Sequence, residues 1–175
     1  AGTVVLALHQ DGGRGRRGRV WQSPPGNLYA SVILRPARPM AEVAQLSFVA
    51  ALAVAEAVTP WLPPDGPPCR LKWPNDVLVG GRKLAGILVE AESGPEGRAA
   101  WVVVGIGVNL RHHPEGLPYP ATSLLAQAGR APEPEPMART LAAGLLAGEA
   151  TWLTEGFAPV RQAWLARAQG LGQPV

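Results

Sequence analysis

The chain has 175 residues, of which 47% are hydrophobic and 17% charged, and its formal net charge is +3. That length and balance fit one folded domain with its own core and exclude a disordered chain. A single cysteine, Cys69, excludes an internal disulfide framework and fits a reducing cytoplasm. No apolar run is read as reaching the roughly 18–20 residues of a membrane span, and the first residues lack the basic start of a signal peptide.

The elements follow in chain order. TVVLALH (3–9) reads as a buried strand, and a Gly-rich basic loop fills 10–27. LYASVILR (28–35) is a strand. MAEVAQLSFVAALAVAEAV (40–58) is a helix, apolar all round and therefore internal. Strands at 69–73, 76–80, 83–92 and 99–110 are joined by short turns, including a hairpin at GGR, so the sheet is mainly antiparallel. From Pro120 the pattern is helical, in ATSLLAQAG, PEPMARTLAAGLLAGEATWLTEG and APVRQAWLARAQG. The class is α+β: a mixed, mainly antiparallel sheet with helices on one face.

The basic residues are lopsided. Fourteen of the sixteen are arginine, and the two lysines, Lys72 and Lys83, lie close together. Against such a bias, a retained lysine points to a place that a planar guanidinium does not suit. Asparagine is scarce too, at Asn27, Asn75 and Asn109.

Three stretches carry chemistry. In GGRGRRGRVW (12–21), glycines expose backbone N–H groups, and Arg14, Arg16, Arg17 and Arg19 offer forked donors for phosphate or carboxylate. Trp21 adds a flat face. Composition alone also fits an Arg/Gly nucleic-acid arm. Because apolar strands fix both ends of the loop, an anion-binding loop that orders over a small ligand is favoured. In KWPNDVLVGGRKLAGILVE (72–90), Asn75 and Asp76 sit at a strand junction near Lys83, suited to Mg²⁺, a ribose or a proton; a surface ion pair is the plainer alternative. In VVVGIGVNL (102–110), the glycines permit close approach, and Asn109 is expected to point into the site. His112 and His113 are adjacent on a loop, with no ligand cluster around them, so no protein metal site is expected.

In this order and spacing, QDGGRGRRGRVWQSPPGNLY, KWPNDVLVGGRKLAGILVE and VGIGVNL resemble the catalytic domain of biotin protein ligases, over almost the whole chain. The resemblance implies a fold related to class II aminoacyl-tRNA synthetases. It also implies a two-step reaction: biotin and MgATP give biotinyl-5′-AMP and pyrophosphate, and a lysine of a biotin carboxyl carrier protein then takes the biotin. By the same resemblance Lys83, Arg14 and Asp76 are catalytic. Gln10, Gly13, Arg14, Gly15, Arg16, Lys83, Gly86 and Leu88 bind biotin. Arg16, Arg19, Trp21, Lys72, Asn75 and Asn109 bind ATP, with Trp21 facing adenine. Asp76 either accepts the proton of the incoming lysine or helps place Mg²⁺. The ligase-type domain is assigned to 1–170, short of the family's N-terminal Ser-Thr-Asn segment, and 171–175 is read as the start of a C-terminal domain. A ligase-like domain that binds without turnover is the alternative. A cytoplasmic location, no DNA, no membrane, an edge-paired homodimer and a loop at 12–20 disordered without ligand complete the expectations.

Overall fold

A computed structural model describes residues 2–172; of the segment read as the start of a further domain, residues 173–175 lie outside it. Six strands form one sheet: β1 (Thr3–Ala7), β2 (Leu28–Leu34), β3 (Cys69–Lys72), β4 (Asp76–Val79), β5 (Arg82–Ser93) and β6 (Ala99–Val108). Their spatial order is β1-β2-β6-β5-β4-β3, and all five ladders are antiparallel. Parallel pairing appears in isolated bridges, Leu71 with Ala168 and Lys83 with Ala121.

Alternation sorts the sheet's two faces. On β6, Val102, Val104, Ile106 and Val108 are buried under the helices, so Val103, Gly105 and Gly107 face the other way. The covering layer is α1 (Leu46–Val58), α3 (Pro134–Glu155) and α4 (Phe157–Ala166), with a short α2 (Leu124–Ala128) at the sheet's end. α1 lies innermost, touching β3, β4, β5 and β6 on one side and α3 and α4 on the other. That position explains why it is apolar all round. Phe48 of α1 meets Phe157 and Trp164 of α4 edge to face, each at 5.2 Å. The hairpin between β4 and β5 turns on Gly80 and Gly81, with φ of 58° and 73°, the left-handed pair that a two-residue turn needs.

Three expectations are corrected. β1 is not buried: it is an edge strand, with Val5 54% exposed. Residues Met40–Gln45 form a 3-10 helix that enters α1 behind Pro39, so the α-helix is shorter than 40–58. The helical stretch Met40–Trp61 is also long and apolar enough, at mean hydropathy 1.6, to cross a membrane by length and composition, contrary to the sequence reading. In this fold it is the core helix between sheet and outer helices.

Candidate functional site

The face of the sheet away from the helices carries a cavity of about 510 Å³, roofed by the Gly/Arg loop. Its floor follows from register. Gly86 of β5 pairs with Gly107 of β6, and Leu88 with Gly105, so the open face has almost no side-chain relief at its centre. Tyr29 and Ser31 of β2 stand opposite Gly107 and Gly105.

Lys83 reaches this face through a fault in the ladder. Val77 pairs with Ala85 and Leu78 with Lys83, which leaves Leu84 without a partner on β4. Unbroken alternation would put Lys83 on the helix side with Ala85 and Ile87. The extra residue reverses it, and Lys83 joins Gly86, Leu88 and Glu90 at the cavity. Its Nζ lies 2.7 Å from Asp76 Oδ1, with the two side chains 15% and 25% exposed. The contact is an ion pair without hydrogen-bond alignment, so Oδ1 keeps an unmet acceptor. Asp76 thus makes with Lys83 the ion pair that the sequence offered as the plainer alternative, but within the cavity and not on the open surface.

Trp21 is seated on the glycine floor. A Cβ on Gly107 would stand 2.5 Å from the indole, and one on Gly86 2.9 Å. Its Nε1 is buried and has no hydrogen-bond partner. An orphaned donor in a cavity costs about 1–3 kcal/mol until an acceptor meets it. The loop folds back over this floor: Trp21 N–H donates to Gly13 O at 2.9 Å, and Gly15 N–H to Arg19 O at 2.7 Å. Arg14 meets both carboxylate oxygens of Glu90, at 3.2 and 3.3 Å, and Arg16 Nη1 approaches Asn75 Oδ1 at 3.5 Å. Asn75 Nδ2 donates to Ile87 O at 2.8 Å, which fixes the turn before β4 against β5.

Of the residues singled out from the sequence, Gln10, Arg14, Gly15, Arg16, Arg19, Trp21, Lys72, Asn75, Asp76, Lys83, Gly86 and Leu88 line the cavity. Gly13 and Asn109 do not. Gly13 is buried beneath the loop, where a Cβ would lie 2.3 Å from Trp21 O and 2.6 Å from Ser23 Oγ; it closes the loop's base. Asn109 is 2% exposed, and its Nδ2 donates to Thr122 O at 3.0 Å, so its amide is spent inside the fold. Trp73, Tyr119, Glu90 and Tyr29 line the cavity without having been singled out. Strand alternation from Gly86 and Leu88 reaches Glu90. Tyr119 had no such signal, because a long irregular connection carries it. Burial pushes the Tyr29 hydroxyl up to about 12, partly opposed by Asn27; it donates to Pro24 O at 2.7 Å. His113 Nδ1 meets Ser123 Oγ at 3.2 Å.

Fold and cavity together give a basic, arginine-lined cavity of small-molecule size on the bare face of an antiparallel sheet. The model of the biotin/lipoate A/B protein ligase family matches residues 1–109. A biotin–acetyl-CoA-carboxylase ligase of Paracoccus denitrificans is 47% identical over 98% of this chain and 72% of its own length. A bifunctional ligase/repressor of Bacillus subtilis is 36% identical over 98% of the chain, which spans 53% of that relative. Among solved structures, a biotin protein ligase from Aquifex aeolicus in complex with biotin and ATP is 29% identical, with a TM-score of 0.82 over 97% of this chain and 69% of that one. A Leishmania major biotin protein ligase in complex with biotinyl-5-AMP gives 0.81 at 25% identity, over 98% and 72%. The chain belongs to the biotin/lipoate A/B protein ligase family.

Proposed function

We propose that this domain is a biotin protein ligase that joins biotin to ATP as biotinyl-5′-AMP and passes the biotin to a lysine of a carboxyl carrier protein. The observation that carries the reading is the convergence on one cavity of Lys83, the loop arginines and a Trp21 donor lacking an acceptor. The first step brings a carboxylate against a polyphosphate. Arg14, Arg16 and Lys83 neutralise that repulsion and the charge that builds on the α-phosphate. The carboxylate oxygen bonds to phosphorus and pyrophosphate leaves. The loop then keeps water from the mixed anhydride. In the second step the carrier's amine attacks the acyl carbon, loses a proton and expels AMP.

Biotin is assigned to the sheet face by Gly86 and Leu88, alongside the Trp21 indole, with Gln10 at its ring. Arg19, Lys72 and Asn75 face the nucleotide, and Trp21 the adenine. Among the described residues no group of three or more His, Cys, Asp or Glu gathers as a metal cage. The cavity lining holds two carboxylates, Glu90 paired with Arg14 and Asp76 beside Lys83; magnesium carried on the nucleotide's phosphates would take Asp76 as its protein oxygen. Bound there, the ion supplies further neutralisation of phosphate charge.

The loop's contacts with Glu90 and Asn75 favour this reading over a free nucleic-acid arm. A cytoplasmic location accords with the single cysteine. Pairing of two copies through the open edge of β1 accords with its exposure. The deciding experiment incubates the chain with biotin and MgATP and searches for biotinyl-5′-AMP by mass spectrometry. The adenylate forms, and Lys83→Ala abolishes it. Absence of adenylate from the unaltered chain overturns the reading.

A further inference from the structure

The ammonium of Lys83 has three neighbours. Asp76 Oδ1 is 2.7 Å away, the Trp21 ring centroid 5.5 Å and the Tyr119 ring centroid 5.3 Å. Both rings lie within the roughly 6 Å over which a cation is drawn to an aromatic face. A single carboxylate does not fix a lysine head, because the chain below it has four rotatable bonds and Coulomb attraction has little directional preference. Attraction to ring faces does have direction, and faces from two elements leave the head one place to sit.

Tyr119 comes from the irregular connection between β6 and α2, yet Lys83 itself ties that connection down. Lys83 N–H donates to Pro120 O at 2.9 Å, and Thr122 N–H donates to Lys83 O at 2.9 Å. Asn109 Nδ2 holds Thr122 O at 3.0 Å from the far side. The backbone that carries the ammonium and the backbone that carries the ring are therefore one joined piece.

We propose that Tyr119 is a positioning residue: its ring and that of Trp21 clamp the Lys83 ammonium at the point where the acyl and phosphoryl groups meet. The clamp itself stands apart from the biotin-ligase reading; the reacting groups it faces and the consequence for activity rest on that reading. The clamp uses the ring and not the hydroxyl, so phenylalanine replaces Tyr119 and leucine, though apolar and of similar bulk, does not.

The chain's two lysines make the test direct. In protein labelled with ¹³C-lysine, two ε-methylene signals appear, and Lys72→Arg identifies them. Ring currents move the Lys83 ε-protons upfield of those of exposed Lys72. Tyr119→Phe keeps that shift, and Tyr119→Leu moves it back toward the Lys72 position. In the adenylation assay Tyr119→Leu lowers kcat by roughly tenfold with KM for both substrates little changed, and Tyr119→Phe restores it. An unchanged Lys83 signal in folded Tyr119→Leu overturns the clamp. If the leucine variant does not fold, the unaltered chain decides: coincident signals for the two lysines overturn the proposal. A shifted Lys83 in a chain that makes no adenylate supports the clamp and counts against the functional reading alone.

Discussion

Gly107 shows how little room the site has for an added atom. Its missing Cβ is the space in which the Trp21 indole rests. Gly107→Ala forces the ring off the floor, at about 1–3 kcal/mol by the usual cost of overpacking. The expected result is a lower melting temperature and a red-shifted contribution from Trp21, isolated by subtracting the same measurements on Trp21→Phe. Cys69 behaves in the opposite sense, as an inert group. Burial raises its thiol from 9.0 to about 11, against the pull of Arg167 and then Arg70. Alkylation at pH 8 is therefore expected to run roughly a hundredfold slower than at a free cysteine, since the thiolate is the nucleophile. The folded state prefers the neutral thiol, so this site's contribution to stability is intact below pH 9 and is lost as pH rises toward 11. At this scale residue type was a good guide: a lysine kept in an arginine-rich chain does lie at the cavity. Asparagine type was a poor one. Asn27, the member of the scarce trio given no role, is 1% exposed and holds a connection in place, and Asn109 faces inward. An amide suits a buried backbone clamp as well as a ligand, and spacing does not separate the two uses.

Segments are organised by such clamps. Asn27 Oδ1 accepts from the N–H groups of Leu110, Arg111 and His112 at 3.0, 2.9 and 3.0 Å, and its Nδ2 donates to His112 O at 2.9 Å. This one side chain fixes the exit from β6, from which Tyr119 is reached. Asn27→Ala is expected to cost about 2–4 kcal/mol in urea unfolding, because several buried donors lose their acceptor together. Asn27→Asp, which keeps the acceptor, is expected to cost less. The Gly/Arg loop lies at the other extreme. Its turn at Arg16–Gly18 buries no side chain and includes Arg17 at φ 57°. Few buried contacts mean a low opening free energy. Amides 12–20 should exchange rapidly in the free chain and slow markedly with biotin and a non-hydrolysable ATP analogue; equal protection in both states would argue against ordering by ligand. Strand boundaries and turns were legible because Gly, Pro and alternation mark them. The slip at Leu84 was not: LAGILVE alternates cleanly by itself, and only pairing with β4 shows that Lys83 has changed sides.

For the whole molecule, the division of the sheet into a helix-covered face and a bare face assigns core and site at once. That division was readable from the all-round apolar α1 and the glycine-bearing β6. The edge was misread, since a β-branched run such as TVVLA has the same composition in the middle of a sheet as at its border. β1 leaves Val4 and Val5 39% and 54% exposed beside unpaired backbone. If two copies pair there, light scattering will show a concentration-dependent dimer that Val4→Lys with Val5→Lys converts to monomer; a monomer at every concentration reached would remove the idea. The enclosure of Lys83 has a further consequence for an enzyme that makes an acylating agent. Activated biotin straying from its pocket acylates exposed amines indiscriminately, those of its maker included. Here one of the chain's two lysine amines is walled in by two rings and a carboxylate, and arginine, which such an anhydride does not readily modify, holds nearly every other cationic position. Lys72, the exposed one, lines the same cavity, so it is the side-chain amine of this chain that released product is expected to modify first.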